Sequence, residues 1–179
     1  GYLYTGDLGY MSKEGLLYVK GRFKSLLISS DGEKYSPEGI EEALVEKSPY
    51  IDQVMLYNNQ SNYTTAVIVP NRDQLIRTLK VQGLDLSTED GRKAALTILD
   101  GEINKYKKGG DFEGMFPERW LPTCFAVLSE PFTEQNQMIN STMKMVRGKI
   151  EKAYAERIAY MYTAAGKQLH NQQNIDALK

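Results

Sequence analysis

The sequence predicts a mixed α/β fold, in which a small sheet of about three strands and an N-terminal β-hairpin are flanked by helices. Short apolar runs alternate with helical patterns along the 179 residues. Two of these runs, residues 54 to 57 and 65 to 69, flank a polar turn and are predicted to pair as strands. A third run, residues 123 to 129, is predicted as another buried strand. With 41% hydrophobic residues, a chain of this length can bury one core.

The hairpin prediction rests on two β-type runs, residues 16 to 19 and 25 to 30, which lie on either side of Gly21-Arg22. The second run leads into Asp31-Gly32, a strong turn signal. We therefore interpret the two runs as a hairpin or as two consecutive strands.

The helices are predicted from N-caps followed by apolar residues at helical spacing. Ser36, which precedes a proline, begins the first helix, Asn71 begins the second, and Ser87 begins a longer third one. A terminal amphipathic helix is predicted from residue 147 to about residue 165. The polar run at residues 168 to 174 is expected to be frayed.

Composition excludes some classes of function and location. The chain has 22 basic and 23 acidic residues, so no net field draws it to nucleic acid or anionic lipid. The one cysteine, Cys124, lies in an apolar run, which predicts a buried structural thiol and excludes an internal disulfide. No apolar stretch approaches the ~20 residues of a membrane-spanning helix. We expect a cytoplasmic protein and leave peripheral membrane association open.

Two short motifs near the N-terminus suit the binding of a ribose. In Tyr4-Thr5-Gly6-Asp7, the glycine permits a tight turn and the aspartate offers two acceptor oxygens, which match the two vicinal hydroxyls of the sugar. Alone, such a motif is usually an ordinary turn. The spacing between this motif and Gly21-Arg22 strengthens the interpretation of the two motifs as a ribose site.

These motifs and the following Gly32-Glu33-Lys34-Tyr35-Ser36-Pro37 resemble, in this order, the ribose-binding and hinge segments of adenylate-forming enzymes. That superfamily comprises acyl-CoA synthetases, adenylation domains and luciferases. The resemblance implies that Asp7 and Arg22 contact the ribose of the adenylate. It also implies that Lys24 is a hinge, about which a small carboxy-terminal lid domain swings relative to a large amino-terminal domain. An exposed charged residue between two strands suits a hinge, because no buried contact is lost in either orientation.

The turn at residues 30 to 32 is predicted to face the active site after the swing. In acyl-CoA synthetases this loop borders the tunnel used by the pantetheine thiol, so the resemblance implies that Ser30, Asp31 and Gly32 lie near coenzyme A. Gly32 is the best candidate for a contact, because a glycine lets a slender ligand approach closely.

A loop near the carboxy terminus is the third candidate site. Adenylation brings a carboxylate to the α-phosphate of ATP, and a positioned cation stabilises the charge that develops in the transition state. Residues 139 to 147 lack the proline and glycine of the lysine motif in many members of the superfamily. They resemble the motif of the long-chain fatty acyl-CoA synthetase branch, which implies that Lys144 is catalytic. Lys149 is the rival, but it falls in the predicted terminal helix, where a solvated lysine is expected.

The resemblance also implies a domain organisation. Residues 1 to 23 would end the large adenylate-binding domain, residues 24 to 170 would form the lid domain, and residues 171 to 179 would be a polar tail. The sequence has no targeting segment before its first strand signals, and no phosphate-binding loop is visible in it. We therefore expect a larger enzyme upstream and an inactive isolated fragment.

The implied reaction is that of a long-chain fatty acid–CoA ligase. ATP with Mg²⁺ would activate a fatty acid to acyl-AMP, and coenzyme A would then take the acyl group. Magnesium enters with ATP as substrate, no metal site of the chain's own is expected, and the expected partner is the amino-terminal large domain of the same polypeptide. Three alternatives stay open: transfer to an acyl carrier protein, another adenylate-forming activity, and a non-enzymatic α/β interaction module.

Overall fold

The structure is a computed structural model that describes residues 4 to 22 and 25 to 179. Its first element is a hairpin of β1 (Asp7–Met11) and β2 (Leu17–Arg22). The turn between them is closed by a hydrogen bond of 2.8 Å from the Ser12 N–H to the Leu16 carbonyl. An N-terminal hairpin is therefore present, and it is formed by the run at residues 16 to 19 and the segment upstream of it. The runs at residues 16 to 19 and 25 to 30 form two consecutive strands, which is the second of the two interpretations from the sequence.

The run at residues 25 to 30 instead enters a separate small sheet. There β3 (Leu27–Ser29) pairs antiparallel with β4 (Lys34–Tyr35) and parallel with β6 (Asn59–Ser61). Strand β6 comes from the polar segment that the sequence predicts as a plain turn. The side chain of Asn58, which is buried, accepts from the Ser61 N–H at 2.9 Å and shapes this segment.

The main sheet has three strands and confirms the predicted small mixed sheet. Strand β5 (Ile51–Tyr57) lies antiparallel to β7 (Thr64–Pro70), and β8 (Pro122–Val127) lies parallel to β7. Every residue of β7 is buried, as expected for a central strand covered on both faces. Its neighbours β5 and β8 form the two edges.

The α-helices of the described ranges are α1 (Glu38–Lys47), α2 (Arg72–Val81), α3 (Glu89–Asn104), α4 (Arg147–Ala153), α5 (Ala155–Met161) and α6 (Gln172–Ala177). The Asn71 cap is confirmed, since its side chain accepts from the Gln74 N–H. The N-cap positions predicted at Ser36 and Ser87 are each one residue later in the structure, at Pro37 and Thr88. Pro37 precedes α1 without a side-chain cap, and Thr88 caps α3, since its hydroxyl accepts a hydrogen bond from the Gly91 N–H at 3.1 Å.

The end of the chain departs most from prediction. The terminal helix breaks at Tyr154, whose backbone angles of φ −110° and ψ 23° separate α4 from α5. The fraying predicted for residues 168 to 174 is wrong. Asn171 caps α6, and the fully buried Asn174 bonds to two residues of β8. The polar side chains of this run therefore dock the helix on the sheet.

Alternating residues of the main sheet supply a core on each face. On one face, Leu56, Ile68 and Phe125 pack with α1, α2, α3 and α6. On the other, Met55, Val67 and their neighbours pack with α4 and α5. Helices thus cover both faces of the sheet, and the loop that precedes α4 emerges beside its β5 edge.

Candidate functional site

The hairpin brings the two predicted ribose-binding positions together. Asp7 and Arg22 are register partners across β1 and β2. Gly6 adopts a φ of +79°, and the Thr5 hydroxyl accepts a hydrogen bond of 3.2 Å from the Asp7 N–H, so a tight turn holds the exposed aspartate. The predicted hinge, Lys24, lies outside the described residues and stays a prediction.

An open cleft of about 860 Å³ lies beside the hairpin. Asp7 and Val19 line it from the hairpin, and Lys144 and Arg147 line it from the opposite end of the sequence. The remaining lining residues come mainly from α1 and β5 and include carboxylates at positions 38, 42, 46 and 52. Of the predicted site residues, the structure thus brings Asp7 and Lys144 to one cavity.

Lys144 is exposed on a loop with a defined shape, which we call the lysine loop (residues 139 to 146), and directly follows the turn at residues 141 to 143. Ile139 and Met145 form an antiparallel bridge at its base, and the Asn140 N–H donates to the Lys144 carbonyl at 2.9 Å. Met143 has a φ of +61°, a left-handed conformation that turns the chain back on itself. The amine therefore extends from a closed turn.

The side chain of Asn140 organises the interior of this loop. Its Oδ1 accepts from the Thr142 N–H at 3.0 Å, from the Thr142 hydroxyl at 2.8 Å and from the Lys144 N–H at 2.9 Å. The sequence reasoning missed this role. The available signal was an asparagine before two hydroxyl residues, a combination that favours side-chain-closed turns.

The rival lysine is placed differently. Lys149 lies in α4, and its Nζ donates to the side chain of Gln137. It does not belong to the lining of the cleft described above. The structure therefore separates the two lysines in the way that the sequence predicts, with Lys149 on a helix surface and Lys144 on a loop.

A buried ion pair lies next to the lysine loop. The Arg147 guanidinium bonds the carboxylate of Glu41, and both side chains are largely buried, at 13% and 5% exposure. The other carboxylate oxygen of Glu41 accepts from the Leu56 N–H at 2.6 Å, while Arg147 donates to the Leu56 carbonyl at 3.1 Å. Burial raises the pKa of Glu41, and the charge of Arg147 opposes that shift. This pairing was not predicted from the sequence.

The predicted coenzyme A turn is exposed and well formed. Gly32 has a φ of +84° and open space where a side chain would start, and its N–H donates to the Ser29 carbonyl at 2.9 Å. Asp31 accepts from the Ser29 hydroxyl at 2.5 Å and from the Glu33 N–H at 3.1 Å, which lowers the pKa of its carboxyl. This turn does not belong to the lining of the cleft that holds Lys144.

The same turn is tied to the segment that precedes β8, the short 3-10 helix Glu118–Trp120. Arg119 pairs with Glu33 at 2.5 Å, and the Trp120 indole N–H donates to the other Glu33 oxygen at 3.0 Å. The Trp120 ring stacks on Tyr35 with centroids 5.1 Å apart. This tie joins residues far apart in sequence and was not predicted.

Cys124 is a structural residue, as predicted. It is a free, buried thiol, and burial raises its pKa to about 11. Within residues 4 to 22 and 25 to 179, no cluster of three or more His, Cys, Asp or Glu side chains is arranged to hold a metal ion. No helix in the described part of the chain is long and apolar enough to cross a bilayer.

The fold matches that of adenylation domains. The adenylation domain of a carboxylate reductase from Mycobacterium chelonae superposes on 88% of this chain with a TM-score of 0.71 and 24% identity. The match covers 22% of that structure. The fold is therefore that of a part of an adenylate-forming enzyme.

Proteins with similar sequences indicate the class of enzyme. Fatty acyl-CoA synthetase B from Dictyostelium discoideum is 27% identical over 91% of this chain and 24% of its own length. A long-chain-fatty-acid–CoA ligase from Xenopus laevis is 25% identical over 96% of this chain and 25% of its own. No family model matches the chain. The chain is homologous to a carboxy-terminal segment of acyl-CoA synthetases of the adenylate-forming superfamily, long-chain fatty acid–CoA ligases among them. It spans about a quarter of the length of these relatives.

Proposed function

We propose that the chain is the lid-bearing end of a long-chain fatty acid–CoA ligase. The observation that carries this proposal is the cleft, in which Asp7 from the hairpin and Lys144 from the lysine loop line one cavity. One residue suits a ribose, the other suits the anionic reaction centre of an adenylate, and the curated relatives are fatty acyl-CoA synthetases and ligases.

In the first half-reaction, a fatty carboxylate oxygen attacks the α-phosphorus of ATP. The bond from that phosphorus to the pyrophosphate oxygen breaks, which gives acyl-AMP and pyrophosphate. Lys144 places a positive charge beside the α-phosphate oxygens, where negative charge accumulates in the transition state. Asp7 accepts hydrogen bonds from the ribose hydroxyls, with Arg22 beside it on the paired strand. The closed lysine loop supports this role, because little order has to be created on binding.

In the second half-reaction, the thiol of coenzyme A gives up its proton and attacks the acyl carbonyl, and AMP leaves with the bonding electrons. The turn at residues 30 to 32 would border the thiol. In the present arrangement the cleft is lined by the lysine loop and not by that turn. A rotation about Lys24 that exchanges the two surfaces would let one lid serve both steps.

The test is a pyrophosphate-release assay on the full-length parent with ATP, Mg²⁺ and carboxylic acids of increasing chain length. We expect release that depends on long-chain fatty acids, followed by thioester formation when coenzyme A is added. Release with short or aromatic acids only would contradict the fatty acid assignment. Transfer of the acyl group to an acyl carrier protein but not to coenzyme A would contradict the assignment of coenzyme A as the acceptor.

A further inference from the structure

Arg147 anchors the end of the lysine loop. The loop closes with a hydrogen bond of 2.8 Å from the Val146 N–H to the Met138 carbonyl, and α4 begins at the next residue. From there the Arg147 guanidinium reaches β5, where it donates to the Leu56 carbonyl at 3.1 Å and to the Glu41 carboxylate. The loop that carries Lys144 is therefore tied to the sheet immediately after its base.

The ion pair satisfies the backbone groups of Leu56 at the edge of the main sheet. Strand β5 is at the edge of the main sheet, and Leu56 directs both of its backbone polar groups away from β7. Glu41 accepts from the Leu56 N–H and Arg147 donates to the Leu56 carbonyl, so the pair takes the place of a neighbouring strand. Glu41 belongs to α1 on one face and Arg147 to α4 on the other. The ion pair thus links α1 on one face of the sheet to α4 on the other, next to the end of the lysine loop.

We propose that Arg147 is a positioning residue for the adenylation step, and that its guanidinium, held by Glu41 and Leu56, sets the place at which the loop presents Lys144. This inference rests on the proposed function. A guanidinium donates two hydrogen bonds in one fixed plane, whereas a lysine ammonium is a single point on a flexible stem. Loss of the planar contact would let the loop move relative to the cleft, and a displacement of about 1 Å can slow a positioned reaction by as much as ~100-fold.

Arg157 offers a matched control on the other edge of the same sheet. It donates to the carbonyl of Val127 in β8 at 2.9 Å and to the side chain of Asn174 at 2.9 Å. Asn174 in turn accepts from the Val127 N–H at 3.0 Å, so this edge is completed in a similar way. The bonds of Arg157 reach β8 and α6 and not the lysine loop. Its loss should therefore affect stability without affecting Lys144.

The test compares Arg147→Lys with Arg157→Lys in the full-length parent, through the two half-reactions measured separately. We expect Arg147→Lys to lower kcat for acyl-adenylate formation by about tenfold or more with little change in KM, while thioester formation from supplied acyl-adenylate stays within about twofold. Arg157→Lys should leave both steps within about twofold. Equal slowing of adenylation by the two variants, or no slowing by Arg147→Lys, would overturn the inference.

A second measurement is independent of activity. Amide hydrogen exchange of the lysine loop, followed by mass spectrometry in this chain, should become faster in Arg147→Lys and stay unchanged in Arg157→Lys. Unchanged exchange in Arg147→Lys would also overturn the inference. A wild-type parent that forms no acyl-adenylate would refute the proposed function instead, and the exchange result would still decide whether Arg147 anchors the loop.

Discussion

One buried asparagine, Asn174, joins α6 to the main sheet through hydrogen bonds. The Oδ1 of Asn174 accepts from the Val127 N–H at 3.0 Å and from Arg157 at 2.9 Å. Its amide donates to the Phe125 carbonyl at 3.0 Å and to the Leu169 carbonyl at 3.3 Å. The side chain is completely buried, so water cannot replace these partners in the folded chain.

We predict that Asn174→Ala lowers the free energy of unfolding by about 3 kcal/mol. The substitution leaves the buried N–H of Val127 and the carbonyl of Phe125 without their partner, and each unsatisfied group costs ~1–3 kcal/mol. Since domains are typically stable by ~5–15 kcal/mol, the variant should still fold. Urea unfolding monitored by circular dichroism is the assay. With an m-value of about 2 kcal/mol/M, the midpoint should fall by about 1.5 M.

Gln172→Ala is the control for this prediction. Gln172 lies in the same helix and is exposed, and within the described part of the chain its side chain bonds only the surface carboxylate of Asp176, at 2.9 Å. Its substitution should change the free energy of unfolding by less than about 0.5 kcal/mol. A loss for Asn174→Ala as small as that of the control would refute the reasoning, because it would mean that α6 is not docked through this side chain.

Three further predictions concern separate features. Because burial raises the pKa of Cys124 to about 11 from 9.0, its stabilising contribution should be present below pH 9 and lost between pH 9 and 11, a loss that Cys124→Ala should lack in alkaline unfolding experiments. Asn140→Ala should slow acyl-adenylate formation in the parent by about tenfold in single-turnover assays, because Lys144 would lose the turn that presents it. Lys24→Pro should do the reverse and spare adenylation while blocking thioester formation, because it restricts the proposed hinge.

Each of these has an outcome that contradicts it. If the free energy of unfolding fell equally between pH 9 and 11 in the wild type and in Cys124→Ala, Cys124 would not be the cause of that loss. Adenylation at the wild-type rate in Asn140→Ala would mean that the turn is not needed to place Lys144. Thioester formation at the wild-type rate in Lys24→Pro would show that the hinge lies elsewhere.

Sequence reasoning succeeded where local patterns determine structure. The pairing of β5 with β7 follows from two apolar runs around a polar segment, and the Asn71 cap follows from its position before an amphipathic helix. The lysine motif was recognised in the sequence, and Lys144 is exposed on the lysine loop, while its catalytic role stays a prediction. These features depend on residues that are close together in the sequence.

Prediction from the sequence failed where the local structure depends on residues that are far apart in the chain. The segment at residues 59 to 61 forms β6 only because β3 lies beside it, and the polar run before α6 is ordered by bonds to β8. Likewise, Glu41 and Arg147 are paired across the β5 edge by the tertiary fold. No periodicity or cap identifies such partners in a single sequence, so the contacts that support the lysine loop could not be predicted.

The central claim is that Lys144 supplies the charge for adenylation. The most direct measurement compares Lys144→Ala with Lys149→Ala in the full-length parent, using pyrophosphate release for the first step and thioester formation from supplied acyl-adenylate for the second. We predict that Lys144→Ala slows the first step by about 100-fold or more and largely spares the second, while Lys149→Ala leaves both near wild type. Equal slowing of both steps by Lys144→Ala, or a first step that is lost in Lys149→Ala instead, would contradict the account.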